Sequence, residues 1–243
     1  MGKKDKSATK PAPTESSVVF PNISPKSELE CRVLLDNQII VIEDVFSPAE
    51  CKSFVKFIDS LPLELTPPKK RGEAERHNRR CAPRIRSMLI VSRPILRHAV
   101  DFAKRLHAVF APYLPPFVPP KMGRSAIGPA RAAHSFNSNI RVYKYTPLQH
   151  FGPHYDDDCR DPMTGAKSEW TLLLYLTGYE DGVEGGETLF YPSGRPTSED
   201  VIKAPLKRGT ALLHRHGRDC MLHEGSPVVA GIKYVLRSDV MFL

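Results

Sequence analysis

The chain has 243 residues, 41% of them hydrophobic, and a formal net charge of +8, enough length and apolar content for one sizeable core in a single domain. No apolar stretch approaches the ~20 residues of a membrane span, and the five cysteines are odd in number, widely spaced and without a C-x-x-C pair, which argues against a disulfide framework or a zinc ribbon. A soluble intracellular protein, cytoplasmic or nuclear, is expected.

In chain order, residues 1–28 read as a disordered basic tail, because Met1 to Lys26 carries Lys, Ser, Thr and Pro with few large apolar groups. The stretch lacks the apolar core of a signal peptide and the Arg-rich character of a transit peptide. Lys6 also stands where a myristoylation signal needs Ser or Thr. A single domain is expected over 29–243. Gln38 to Val45 is a short apolar strand. Ser47-Pro-Ala-Glu50 is a capping box with Pro at the first helical position, predicting a helix to about Leu61 with Cys51, Phe54, Val55 and Ile58 on its apolar face. A second helix is predicted from Pro94 to about Ala111, burying Ile95, Val100, Phe102, Leu106 and Phe110. Together they form a helical support layer over about 47–112.

The charge is concentrated between the helices. Lys69 to Arg86 holds eight Lys or Arg against two Glu, a local +6. Such a run could contact phosphate, draw in an acidic substrate or act as a nuclear-import signal; a solvated loop, able to serve as a substrate lid, is the preferred reading.

The second half reads as β. Asn137 to Thr146 is a strand with Arg141, Tyr143 and Tyr145 on one face; Arg141 is a candidate to contact the substrate or to support the residues that line the pocket. Glu169 to Leu176 is a continuous apolar strand that suits a buried position, with Trp170 in the core. Gly185-Gly186-Glu187-Thr188 contains a tight turn, and Gly209 to His216 is a further strand. From Ile232 the chain alternates, with Lys233, Val235 and Arg237 on one face and Ile232, Tyr234 and Leu236 on the other.

Within this half, His154-Tyr155-Asp156 places an imidazole and a carboxylate two residues apart, on one face if extended. With a third ligand from a distant strand they make a facial triad, which holds Fe(II) on one side and leaves three positions open. Spacing leaves His214, His216 and His223 as candidates for that ligand; His150 reads as a loop or substrate-side residue. The acidic neighbours Asp157, Asp158 and Asp161 also allow H-x-D to be a solvated loop. Cys159 and Cys220 lie close in sequence to these residues and read as free thiols, with thiol ligation the alternative.

The set His154-x-Asp156, Gly185-Gly186-Glu187-Thr188 and His223 with Lys233 ten residues on resembles the 2-oxoglutarate and Fe(II)-dependent dioxygenases, in their prolyl 4-hydroxylase-like branch. The resemblance is close over about 136–243 and loose before it. It implies a mainly β fold with bracing helices, a double-stranded β-helix of jelly-roll or cupin-like type, with the barrel core at about 136–243. It assigns His154, Asp156 and His223 as metal ligands and catalytic centre. It makes Lys233 the clamp for the distal carboxylate of 2-oxoglutarate, with Tyr145 and, less centrally, Tyr175 hydrogen-bonding the same group. Arg237, on the same face but about 13 Å further along the strand, is the rival clamp and is assigned to an ion pair. The implied reaction consumes O2 and 2-oxoglutarate, gives succinate and CO2, and hydroxylates an unactivated C–H; ascorbate is a candidate reductant. Peptidyl proline, free imino or amino acids and other small molecules are the implied substrates, with specificity expected in residues 66–90 and Arg160 to Lys167. Two alternatives stand beside this: a noncatalytic or differently metallated cupin-like binding protein, and a basic nucleic-acid-interaction protein, the latter disfavoured.

Overall fold

Lys233–Phe242 is a ten-residue strand in which every residue is buried, although Lys233, Arg237, Ser238 and Asp239 are polar or charged. The reason is that both faces are covered. Tyr234, Leu236, Val240 and Phe242 point into a core shared with the helices, whereas Val235 belongs to a second core on the opposite side. The computed structural model describes residues 19–61, 63–65, 87–89, 96–116, 121–122, 125–126, 129–197 and 199–243; the basic run at 69–86 and most of the lid candidate 66–90 lie outside them.

The principal strands are β1 (Cys31–Leu35), β2 (Ile39–Ile42), β3 (Glu64–Leu65), β4 (Ser87–Leu89), β5 (Arg141–Tyr145), β6 (Phe151–His154), β7 (Lys167–Tyr175), β8 (Thr188–Tyr191), β9 (Ile202–Lys203), β10 (Ala211–Arg215), β11 (Leu222–Gly225) and β12 (Lys233–Phe242). The larger sheet runs β1-β2-β10-β7-β12-β5-β4-β3, with Ser135–Phe136 joined to the end of β12. The smaller runs β9-β8-β11-β6. All pairings are antiparallel. Side chains of both sheets, among them Tyr143, Leu212 and Val235 from one and Phe190 from the other, meet in the inner core. This is the expected double-stranded β-helix, with β7 and β12 at the centre of the larger sheet.

The outer face of the larger sheet carries α1 (Pro48–Asp59) and α2 (Leu96–Phe110). The capping box at the start of α1 forms as its sequence requires: Glu50 N–H donates to Ser47 Oγ (3.3 Å) and Ser47 N–H to Glu50 Oε2 (2.7 Å). Phe54, Phe102 and Leu106 from the helices are buried in one cluster with Trp170, Leu172 and Leu236 from the sheet, so Trp170 is core and not pocket wall. Val100 faces solvent, contrary to the reading of α2, and Ala99 and Ala103 take its place in the buried stripe. The stripe thus follows 99, 102, 103, 106 and 110, the i, i+3, i+4, i+7 pattern of one helical face.

Residues 19–28, assigned to the tail by composition, pack against these helices. Phe20 is buried and stacks on Phe102 with ring centroids 4.5 Å apart, and Lys26 pairs with Glu50 at 2.8 Å. Phe20, with Ile23 packed against the same cluster and Arg105 bonded to Pro21 O and Asn22 Oδ1, anchors a segment whose average composition is polar. The Arg160 to Lys167 insertion closes on itself through an Arg160–Lys167 bridge and an Arg160 Nη1 to Gly165 O bond of 3.0 Å. Among the described residues, no helix is long and apolar enough to cross a membrane.

Candidate active site

β6 and β11 are neighbours in the smaller sheet, in a register that places His154 opposite His223. β6 ends at His154; the chain then exposes Tyr155 and turns Asp156 back inward. The two imidazole rings stand 4.2 Å apart. His154 Nε2 is 3.4 Å from Asp156 Oδ1, and His223 Nε2 is 3.6 Å from Asp156 Oδ2, with all three residues buried. They are one of two groups among the described residues whose ligand atoms lie close enough to share a metal ion.

Hydrogen bonding fixes which imidazole nitrogens face the centre. His154 Nδ1–H donates to Gly152 O and His223 Nδ1–H to Met221 O, both at 2.9 Å. Each Nε2 is therefore turned toward the carboxylate, the arrangement typical of metal-ligating histidines. His154 Nε2 is buried with no hydrogen-bond partner. One bare imidazole nitrogen and the Nε2 of a second ring aimed at one carboxylate are a donor set that a cation would satisfy, and N2O composition with open positions fits Fe(II).

Without a cation the three groups perturb one another. Burial and the charge of His223 push His154 down to about 3. Burial opposes ionisation of Asp156, yet Arg237 and the two histidines hold its carboxyl well below the usual range. Burial would lower His223 too, but Asp156 outweighs it and raises His223 to about 10. A metal ion would displace the proton that His223 carries.

Arg237 pairs with Asp156 itself. Its Nη1 donates to Oδ1 at 3.0 Å and its Nη2 lies 2.9 Å from Oδ2, a bidentate contact that orients the carboxylate. Thr171 adds an O–H donor to Oδ2 at 3.0 Å. Thr171 in turn meets His216 Nδ1 at 2.8 Å, and His216 Nε2 meets Ser168 Oγ at 2.9 Å, so both nitrogens of His216 are engaged away from the centre. Arg141 pairs with Asp239 at 2.7 Å and does not line the cleft; its connection to the centre runs through Asp239 and Arg237. Neither Thr171 nor the Asp156–Arg237 pairing was anticipated, since both depend on β7 and β12 lying side by side behind Asp156.

The centre opens into a cleft lined by Tyr143, Tyr145, Phe151, Leu173, Thr188, Lys233 and Val235, together with His154, Asp156, His214, His223 and Arg237. Lys233, Val235 and Arg237 share one face of β12, as their alternation requires. Lys233 and Tyr145 are directly paired between β12 and β5. The Lys233 ammonium is buried, 5.5 Å over the Tyr145 ring and 5.4 Å over that of Tyr175, and it donates to Gly186 O.

That carbonyl is presented by the Gly185-Gly186 turn, where both residues have positive φ, +69° and +74°; a Cβ on Gly185 would lie 2.3 Å from Pro227 O. Burial lowers the Lys233 pKa to about 8, with the charge of Glu187 acting in the opposite sense. Glu187 itself sits outside the cleft lining, accepting from Tyr179 and Ser226 and paired with Lys203 at 2.6 Å.

Tyr175 requires a correction. Its hydroxyl is bonded to Thr188 Oγ1 at 2.7 Å in a fully buried position and Thr188, not Tyr175, lines the cleft; Tyr175 acts on the site through Thr188 and by stacking beneath Lys233. Tyr143, two residues before Tyr145 and on the same strand face, lines the cleft and is the tyrosine that period-two alternation would have added. The Cys220 thiol accepts from Asp156 N–H at 3.2 Å and contacts the Nδ1 side of His223 at 3.9 Å, and Cys159 accepts from Asn137 Nδ2 at 3.2 Å.

Residues 140–238 match the family model described as the 2OG-Fe(II) oxygenase superfamily. Among solved structures, a prolyl hydroxylase from Trichoplax adhaerens, in complex with a hypoxia inducible factor oxygen degradation domain peptide fragment, is 15% identical. The match covers 84% of each chain with a TM-score of 0.52. A Pseudomonas putida prolyl-4-hydroxylase is 12% identical, over 84% of this chain and 92% of its own, with a TM-score of 0.51. No curated protein matches the chain.

Proposed function

We propose, from the premise that this chain belongs through residues 140–238 to the 2OG-Fe(II) oxygenase superfamily, that His154, Asp156 and His223 hold Fe(II) and that Lys233 clamps the distal carboxylate of 2-oxoglutarate. When bound, Fe(II) and 2-oxoglutarate supply the oxidising power: O2 is reduced, the cosubstrate is decarboxylated to succinate and CO2, and one oxygen atom enters a substrate C–H bond. The observation that supports this reading most is the buried Lys233 ammonium in the same cleft as the triad. A buried cation is costly unless an anion answers it, and a dicarboxylate chelated at the centre would bring its second carboxylate into that cleft.

The surrounding residues have defined tasks. Arg237 and Thr171 hold Asp156 in one orientation. Phe151, stacked against His154 with centroids 3.7 Å apart, and Leu173 keep water from the cleft, and Tyr145 walls the Lys233 end. The reaction is the hydroxylation of an unactivated C–H; a prolyl residue or a free imino or amino acid is the acceptor class we propose, by likeness of fold to the two prolyl hydroxylases. The test is succinate formation dependent on Fe(II), O2 and 2-oxoglutarate, with mass spectrometry for a hydroxylated product over free imino acids and Pro-containing peptides. Uncoupled succinate production without an acceptor supports the cosubstrate assignment, and its absence in metal-loaded protein refutes it.

The Lys233 pKa of about 8 implies a pH dependence with a definite sign. Below that value the side chain is cationic and attracts the carboxylate; above it the neutral amine does not. The dissociation constant for 2-oxoglutarate, titrated anaerobically from about pH 6.5 to about pH 9.5, should be flat at the acid end and rise toward tenfold per unit at the alkaline end. Lys233→Arg, cationic throughout, should remove the slope.

A further inference from the structure

We propose that His216 is a positioning residue: through Thr171 it holds the Asp156 carboxylate in the orientation a metal ligand needs and ties it to the closed neck of the insertion that follows Cys159. The inference deepens the reading above and rests on it. Ser168 and Thr171 are three residues apart on β7, a separation that places side chains on opposite faces of a regular strand. The register of β7 against β12 slips between Ser168 and Trp170, and such a bulge reverses the alternation. Both hydroxyls therefore meet one ring. His216, one residue beyond the end of β10, sets its Nδ1 2.8 Å from Thr171 Oγ1 and its Nε2 2.9 Å from Ser168 Oγ. All three side chains are buried, and the backbone N–H of His216 donates to Glu169 O at 3.2 Å.

The protons along this chain are placed by what each group can donate. The ionised Asp156 carboxylate only accepts, so Thr171 gives its single hydroxyl proton to Oδ2, 3.0 Å away. Thr171 Oγ1 must then accept from His216, which puts the ring proton on Nδ1. Burial pushes His216 below the usual imidazole range, so the ring is neutral and its Nε2 carries a lone pair. That lone pair accepts from the Ser168 hydroxyl, whose oxygen accepts from Cys159 N–H at 2.8 Å. Ser168 N–H returns a bond to Cys159 O at 2.9 Å, closing the neck of the insertion. Donors and acceptors thus run in one direction from that neck to Asp156.

The direction matters at Thr171. Its hydroxyl points at Asp156 because the ring beside it offers a proton and no acceptor; a lone pair at His216 Nδ1 would compete for the same hydroxyl proton. Asp156 would then lose one of its three short contacts and depend on Arg237 for the other two.

The test begins with the metal-free full chain, in which nitrogen NMR of the His216 ring reads which nitrogen is protonated. A proton on Nδ1 is expected; a proton on Nε2 overturns the proposal without recourse to any variant. Titration with Co(II) alone then reads the effect on the centre. His216→Leu should bind Co(II) about tenfold more weakly, the lower end of what losing a ligand's hydrogen-bond partner costs. His216→Asn, whose amide reaches the Nδ1 position and donates to Thr171, should recover most of that loss. In a Thr171→Val background His216→Leu should add nothing, because both changes act on one bond. Effects that multiply, or a His216→Asn variant as weak as His216→Leu, belong to a merely structural histidine and overturn the proposal. Co(II) affinity lost in Asp156→Ala but kept in His216→Leu removes His216 alone, whereas affinity unchanged in Asp156→Ala removes the metal centre itself.

Discussion

Asp156→Ala is expected to abolish succinate formation and to weaken Fe(II) binding more than the 10- to 100-fold typical of losing an outer-shell partner. The carboxylate is the one anionic group among the three proposed ligands, and both imidazoles point at it. A second effect accompanies the first. Arg237 loses both of its short contacts to Asp156 and keeps only a 3.7 Å approach to Asp239. Uncovering a buried guanidinium in this way costs about 3–5 kcal/mol, to be read by urea denaturation of the metal-free protein. Asp156→Asn keeps the volume and separates the two losses. Turnover retained in either variant would remove Asp156 from the metal centre.

Lys233→Ala is expected to raise the KM for 2-oxoglutarate about 100-fold, equivalent to about 2.7 kcal/mol, while leaving the Fe(II) dissociation constant close to wild type. Arg237→Ala should show the opposite pattern, with Fe(II) affinity down about 10- to 100-fold and a smaller change in KM. The contrast follows from position: both side chains leave the same face of β12, but Arg237 ends on the Asp156 carboxylate and Lys233 ends over two tyrosine rings. If the KM effect appears in Arg237→Ala instead, the clamp assignment passes to Arg237.

The capping box, the Gly185-Gly186 turn and the face shared by Lys233, Val235 and Arg237 were legible because each depends on residues close in sequence. Local backbone chemistry and period-two alternation specify them wherever they lie in the fold. The same holds for His154 and Asp156, two residues apart. Val100 and Phe20 mark the limit of such reasoning: apolar stripes and average composition do not say which side chain finds a partner, and Phe20 is buried because Phe57 and Phe102, one from each helix, receive it.

What the sequence by itself offered was the pair His154 and Asp156, the strand on which Lys233 and Arg237 alternate, and, through its resemblance, the expectation of His223 as third ligand and of the chemistry of the centre. Only the tertiary structure decided how the other two candidate histidines stand to Asp156. His214 and His216 are two residues apart on one short segment, yet His214 aims a bare Nε2 at the carboxylate while His216 is bound at both nitrogens by Thr171 and Ser168. That difference arises where β10 ends beside β7, between strands some forty residues apart in the chain. It also decided that Tyr175 stands behind Thr188 and that Arg237 serves Asp156. Hydrogen-bond partners across a sheet are set by register and burial, and neither is written in the spacing of any one strand.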